Sequence, residues 1–466
     1  MKVLFISSEV APFSKTGGLG DVSGALPRAL VQRGVDVLTV TPLWPTVSPD
    51  GLEDAGSVTL QFPFGPVTLT LLRKDPFVFL ECPPYFERDS LYGHHDDARR
   101  FAAFSMGALA ASQRIGFQPD IVHANDWPTG LAMLALARGF STSSLKRARS
   151  VFTIHNLAYT GSFSKDAMTD LGLPWELFTA DGVEFHDHLS FIKAGLVYAD
   201  ALTTVSPTYA REIQTPEGGH GLDGLLRRRS TALRGILNGI DLHEWDSEED
   251  PHLAARYSAA TLAKKEVNTH ALLDRFGLKA PKKNRPPVFG TVGRLADQKG
   301  VELLLAALPR ALDAGALAVV VGTGEARFVE GLKALQRRYP ARFRAHIGFD
   351  EPLAHQLEAG ADFFVMPSKY EPCGLNQMYS LRYGTVPIVR AVGGLEDTVV
   401  DLSRAGATGI KFRDYAVHAL ELAFDRALAL FADPVAMNEV RLQGMSRDFS
   451  WGQAAAKYEA LYASLR

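Results

Sequence analysis

Val288-Phe289-Gly290-Thr291-Val292 runs straight into Gly293-Arg294-Leu295-Ala296-Asp297-Gln298-Lys299-Gly300, and a helical pattern opens behind that loop. A short apolar run bounded by turn residues and followed by helical spacing reads as a buried strand of a βαβ unit. Further runs of the same kind follow at Ala318–Val321, Ala345–Gly348, Phe363–Met366 and Val386–Val389. Upstream the pattern recurs at Val3–Ile6, Val35–Val40, Ile121–His123, Ser150–Ile154 and Ala201–Val205. Strands alternating with helices imply open parallel sheets covered on both faces. The chain therefore reads as two doubly wound α/β domains in tandem.

Between the two series, Trp245 to Pro287 carries the acidic cluster Asp246-Ser247-Glu248-Glu249-Asp250-Pro251 and the stretch Pro281-Lys282-Lys283-Asn284-Arg285-Pro286-Pro287. Charge clusters and prolines mark a connecting region, with a helical piece around Lys264–Phe276 inside it. The expected division is residues 1–245, a linker over 246–287, a second domain over 288–445 and a terminal segment over 446–466. In that last segment Ala455, Tyr458, Leu461 and Tyr462 fall near one helical face, so the helix either closes the second domain or crosses back to the first.

Composition narrows the function. The 466 residues are 46% hydrophobic and carry a formal charge of −3, too long for one ordinary core and without the basic excess of a nucleic-acid binder. Cys82 and Cys373 are far apart, with no metal-ligand spacing and no disulfide framework, which suits a reducing cytoplasm. The chain enters a strand-like segment at once, so no leader is expected. No apolar run approaches the ~20 residues of a membrane span.

In open parallel sheets ligands bind beyond the carboxyl ends of the strands, and the informative motifs lie there. Lys15-Thr16-Gly17-Gly18-Leu19-Gly20-Asp21 follows the first strand. Its glycines admit a ligand to the backbone, and the helix start attracts anions. The plain alternative is a tight loop with a surface lysine. Pro27 is a misfit in the helix that follows. Asp126 ends the His123-Ala124-Asn125-Asp126-Trp127 run, where it is either a site carboxylate or a helix N-cap. His155, in Thr153-Ile154-His155-Asn156, is placed to bond a sugar hydroxyl or to serve structure alone. Arg294 and Lys299 flank one loop; two cations beside a helix start suit a diphosphate, or else the loop is simply basic and solvated. Glu371-Pro372-Cys373-Gly374-Leu375-Asn376-Gln377 opens another helix. Glu371 is either an acceptor of sugar hydroxyls or a first-turn acid. Cys373 reads as a small packed or binding residue, since no base stands beside it. Val392-Gly393-Gly394-Leu395 mirrors the first glycine loop.

Taken in order, these segments resemble the bacterial glycogen synthase and plant starch synthase family. The resemblance rests on Lys-Thr-Gly-Gly-Leu at 15–19, Asp-Trp at 126–127, His-Asn-Leu-Ala-Tyr at 155–159, Val205 to Ile213, and Leu-Asn-Gly-Ile-Asp at 237–241. It continues through Arg-Leu at 294–295, Gln-Lys-Gly at 298–300, Glu-Pro-Cys-Gly-Leu at 371–375 and Gly-Gly-Leu at 393–395. It implies two Rossmann-like domains facing across a deep cleft, the GT-B architecture, with the last helix returning to the first domain. It implies glucose transfer from ADP-glucose to the non-reducing-end 4-hydroxyl of an α-1,4-glucan such as glycogen, with retention, release of ADP and no metal or other cofactor. Partners of that kind leave no place for nucleic acid or a membrane.

Carried over by position, Lys15, Gly17 and Gly18 contact the donor. Tyr92, Asp126, His155, Asn156 and Asn238 line the sugar side, Asn238 near the donor. Arg294 and Lys299 hold the diphosphate, and Glu371 binds glucose hydroxyls beside Cys373, Gly374 and Leu375. Gly393 and Gly394 approach a phosphate, and Phe349 stacks on adenine where the family more often has tyrosine. Two departures stand out. Retaining enzymes of this architecture often carry a second glutamate where this chain has Tyr379, and Asn125 stands where a histidine is common. Competing readings are a UDP-glucose-dependent relative, a sucrose synthase, a trehalose-forming enzyme, a glucan phosphorylase, and a non-catalytic glucan-binding protein.

Overall fold

Val3, Leu4, Phe5 and Ile6 are all fully buried, as a strand covered on both faces must be. The computed structural model describes residues 1–139 and 145–466. Two units cluster separately: Met1–Gly239 together with Trp451–Arg466, and Ile240–Ser450.

The first unit is built on a nine-stranded sheet. From one edge to the other it runs Leu233–Gly235, Ala201–Thr204, Arg149–Ile154, Ile121–Asn125, Lys2–Ile6, Asp36–Pro42, Phe77–Glu81, Gly65–Lys74 and Glu53–Phe62. All pairings from Leu233–Gly235 to Phe77–Glu81 are parallel. Chain order reverses between Lys2–Ile6 and its neighbour Ile121–Asn125, so the topological switch point lies there.

The last two strands form an antiparallel hairpin at the sheet edge that the apolar-run reading missed. Its residues alternate, with Val67, Leu69 and Leu71 buried and their neighbours more open, so no continuous run exists to be found. A small antiparallel sheet, Ser162–Ser164, His188–Ser190 and Glu184–Phe185, is a second addition. Pro27 lies inside the helix Gly18–Gln32, which continues past it.

The terminal helix Trp451–Leu465 buries Trp451, Ala454, Ala455, Tyr458 and Tyr462 in one core with Val3, Phe5, Val22 and Leu26 of the first unit. Tyr462 is further bonded through its hydroxyl to Nδ1 of His123, on the strand Ile121–Asn125, at 2.6 Å.

The second unit has a six-stranded parallel sheet: Phe343–Ile347, Leu317–Gly324, Val288–Leu295, Phe363–Met366, Val386–Arg390 and Ile410–Phe412. Its switch point separates Val288–Leu295 from Phe363–Met366. Residues 246–287 are not a free connector, for they belong to this unit. The helix Lys265–Arg275 buries Leu272 and Leu273 in the core with Leu353 and Leu357. Arg285 forks onto Asp362 at 2.6 and 3.0 Å and onto Glu266 at 2.6 and 2.8 Å. Lys265 is buried with its ammonium on the carbonyls of Glu358 and Ala359 and on Thr385 Oγ1. Of the charges that marked this stretch as a connecting region, Asp246, Asp250 and Arg285 are paired within the unit, while Glu248, Glu249, Lys282 and Lys283 are exposed.

Candidate active site

At the switch point of the first unit, the strand Lys2–Ile6 continues into Ser7, Ser8 and Glu9, all buried. Glu9 holds the following loop in place. Its carboxylate accepts from Thr16 N at 2.6 Å, Thr16 Oγ1 at 2.7 Å and Tyr92 OH at 2.7 Å. Ser8 Oγ also meets Tyr92 OH at 2.8 Å. Burial and the neighbouring Glu9 carboxylate push the Tyr92 hydroxyl's pKa well up, so it stays a neutral donor. Lys15, next to the tethered Thr16, is ion-paired with Asp21 of the ensuing helix at 2.6 Å.

Gly17 and Gly18 start that helix, and a Cβ placed on either would meet nothing within 4 Å. Neither packing nor a left-handed φ demands glycine there. What the missing side chains leave is open approach to the helix's first amides.

Asp126 stands at the N-cap position of the short helical turn Trp127–Thr129, but its side chain makes no capping bond there. It reaches across to the next strand end, where Oδ1 accepts from His155 N at 2.7 Å and Asn156 N at 3.4 Å. Its backbone has φ 56°, uncommon for a residue with a side chain. Both Asp126 and His155 are 8% exposed. Burial raises the Asp126 carboxyl to about 7, against the pull of the two backbone donors.

Burial lowers His155 to about 3, so the ring is neutral at working pH. Asn125 sets its tautomer: Nδ2 donates to Ile6 O at 3.0 Å, and Oδ1 faces His155 Nε2 at 3.0 Å. Nε2 therefore carries the proton, and Nδ1 is an acceptor. Asn238 is buried in the same unit, and its Oδ1 has no donor among the described residues.

The second unit carries the cations at its own switch point. Lys299 Nζ donates to Glu371 Oε2 at 2.6 Å, joining the loop after Val288–Leu295 to the loop after Phe363–Met366. Ser368 Oγ donates to the same oxygen at 3.0 Å. Glu371 is only 6% exposed on its side chain, and among the described residues Oε1 takes no hydrogen bond. Arg294 is exposed and bonded to Gln298 Oε1 at 3.0 Å.

Gly393 has φ 44°, and a Cβ there would lie 1.8 Å from Glu371 O; one on Gly394 would lie 2.0 Å from Cys373 O. These glycines let the helix Gly393–Thr398 close against the 371–375 loop, and Gly394 N donates to Glu371 O at 3.1 Å. Cys373 is buried, with Gly374 and Leu375 partly so beside it. Phe349 is 85% exposed just past the strand Phe343–Ile347. Tyr379, in place of a second glutamate, is used in packing: its ring stacks on Trp245 at 3.8 Å.

Sequence reasoning overlooked Glu9, although an acid three residues past the apolar run Val3–Ile6 was a signal in itself. It also overlooked Ser368, and it gave Asn125 no task.

Residues 2–228 match the family model described as the starch synthase catalytic domain, and residues 276–439 match that of glycosyl transferases group 1. Along its whole length the chain is 58% identical to a glycogen synthase of Myxococcus xanthus strain DK1622, covering 99% of it. The chain belongs to the glycogen synthase family. A second relative, the glycogen synthase of Anaeromyxobacter sp. strain Fw109-5, is 52% identical across the whole chain and 99% of its own length.

Among solved structures, the catalytic domain of starch synthase IV from Arabidopsis thaliana, bound to ADP and acarbose, superposes with TM-score 0.92 at 34% identity, covering 99% of this chain and 98% of that one. Sucrose-phosphate synthase of Thermosynechococcus elongatus, at TM-score 0.63 and 20% identity over all of this chain and 98% of its own, shares the fold. The chain is a glycosyltransferase of GT-B fold whose family elongates glucans. Among the described residues no helix is long and apolar enough to cross a membrane.

Proposed function

We propose that this chain transfers glucose from ADP-glucose to the 4-hydroxyl at the non-reducing end of an α-1,4-glucan, with retention, releasing ADP. The observation that carries the reading is the Lys299–Glu371 pair at the switch point of the second unit. A cation for the leaving diphosphate and a carboxylate for the sugar are held 2.6 Å apart by two loops of one sheet.

Departure of the diphosphate leaves an oxocarbenium-like sugar. Negative charge grows on the phosphate oxygens, where Lys299 and Arg294 act. Gly17 and Gly18 leave the first amides of the helix Gly18–Gln32 open to a phosphate. Glu371 Oε1 accepts from a glucose hydroxyl, and Asn238 Oδ1 supplies a further acceptor. Phe349 offers its exposed face to the adenine. Asp126 and Asn156 hold the sugar side with Tyr92. The neutral His155 bonds the sugar through Nδ1 and adds no positive charge next to the developing cation. Attack comes on the face the diphosphate leaves, and the departing phosphate takes the acceptor proton. Two free buried cysteines fit a cytoplasmic setting.

Incubation with glycogen and labelled ADP-glucose or UDP-glucose tests the donor. Label is expected to enter glucan much faster from ADP-glucose. Equal or faster incorporation from UDP-glucose overturns the donor assignment, and none from either overturns the activity. His155→Ala is expected to lower kcat by about a hundredfold; unchanged steady-state kinetics would make His155 a packing residue.

A further inference from the structure

A second constellation lies in the Ile240–Ser450 unit, on residues the transfer reaction does not use. Glu351 and His355 stand four residues apart on the helix Glu351–Gly360, hence on one face. Glu244 comes from the segment ahead of Trp245, far earlier in the chain. One ligand atom from each of Glu244, Glu351 and His355 lies within 4.8 Å of the others.

The two glutamates are exposed, whereas His355 is 2% exposed and tightly held. Its ring stacks on Trp245 at 3.8 Å with 8° between planes. Nδ1 is bonded to Asp250 Oδ2 at 2.8 Å, and Asp250 is in turn fixed by Tyr383 OH at 2.6 Å and His252 N at 2.8 Å. With Asp250 ionised, the imidazole proton sits on Nδ1. Nε2 then presents a lone pair and makes no hydrogen bond among the described residues. A buried imidazole oriented by a carboxylate, with a ring nitrogen within 4.8 Å of two exposed carboxylates, is the pattern of a metal ligand and its support.

We propose that Glu244, Glu351 and His355 bind a divalent transition metal ion of the Zn²⁺ type, with water completing the coordination. One nitrogen and two carboxylate oxygens suit Zn²⁺, whereas Mg²⁺ and Ca²⁺ prefer oxygen alone. Zinc–ligand bonds of about 2.1 Å place ligand atoms roughly 3.4 Å apart. The exposed glutamates close the remaining gap by changing rotamer, Glu244 exchanging its present partner for the ion. The ion ties the segment at Glu244 to the helix Glu351–Gly360 and so stabilises this unit.

The test titrates metal-stripped, full-length protein with ZnCl₂ against a chromophoric chelator, alongside thermal denaturation. One equivalent is expected to bind and to raise Tm with increasing Zn²⁺. Glu244→Gln and Glu351→Gln are each expected to weaken binding by about tenfold or more, with transferase turnover unchanged. Both substitutions are at exposed side chains and leave the Trp245–His355 stack intact, so loss of binding is separable from misfolding. Absence of Zn²⁺ binding by the unaltered protein, or binding of equal strength in both variants, overturns the site. An equal Tm rise with MgCl₂ overturns the choice of metal.

Discussion

Lys299→Ala and Arg294→Ala are each expected to lower kcat by about a hundredfold to a thousandfold in protein that remains folded by circular dichroism. The reason is where negative charge appears. As the glycosidic C1–O bond breaks, the diphosphate gains charge that a fixed cation stabilises more in the transition state than in the bound donor. The two variants differ in a second respect. Lys299 also holds Glu371, whose side chain is 6% exposed, so its removal strips a nearly buried carboxylate of its partner and costs stability. Arg294 is exposed and bonded only to Gln298 among the described residues, so its removal leaves Tm nearly unchanged. Steady-state kinetics and thermal denaturation on the two purified variants check both halves. Rates near those of the unaltered protein would remove the diphosphate role.

Asp126→Asn is expected to cut turnover by about a hundredfold or more while making the protein more stable at pH 8. The sign follows from linkage. Burial raises the Asp126 carboxyl from 3.8 to about 7 in the folded chain. The folded state therefore holds this proton more tightly than the unfolded one, and that advantage is lost as pH rises from 3.8 through 7. Above pH 7 the native protein carries an ionised, desolvated carboxylate at a cost of at most about 4 kcal/mol.

Asparagine keeps an acceptor for His155 N and Asn156 N but carries no charge. The Tm difference between variant and unaltered protein should accordingly widen from pH 5 to pH 8. His123 and His155, both lowered to about 3 by burial, act in the opposite sense, losing stability as pH falls below 6.5, but they are present in both proteins and cancel. The ionised carboxylate is the stronger acceptor for the strand-end amides, so the unaltered enzyme's kcat should fall as pH drops below 7. A profile flat from pH 6 to pH 8 would exclude that role, and a constant Tm difference would exclude the buried-charge account.

The local pattern revealed much of the fold and little of how the site is held together. Buried parallel strands such as Val3–Ile6 and Phe363–Met366 are continuous apolar runs, and their ends carry polar motifs, so both strands and loop residues were visible in one dimension. The hairpin over Glu53–Lys74 escaped because a half-covered edge strand alternates rather than runs. Tyr379 looked like a lost carboxylate until its ring was found against Trp245.

By itself the sequence determined the doubly wound class, the family, and the placing of Lys15, Asp126, His155, Arg294, Lys299 and Glu371 at strand ends, because periodicity and motif spacing are local properties. The tertiary structure alone decided that the chain around Arg285 is part of the second unit, that Glu9 anchors Thr16 and Tyr92, that Asn125 dictates the tautomer of His155, and that Glu244 meets His355. Those outcomes depend on hydrogen bonds and ring contacts between residues distant along the chain, which form only when strand order and burial bring them together.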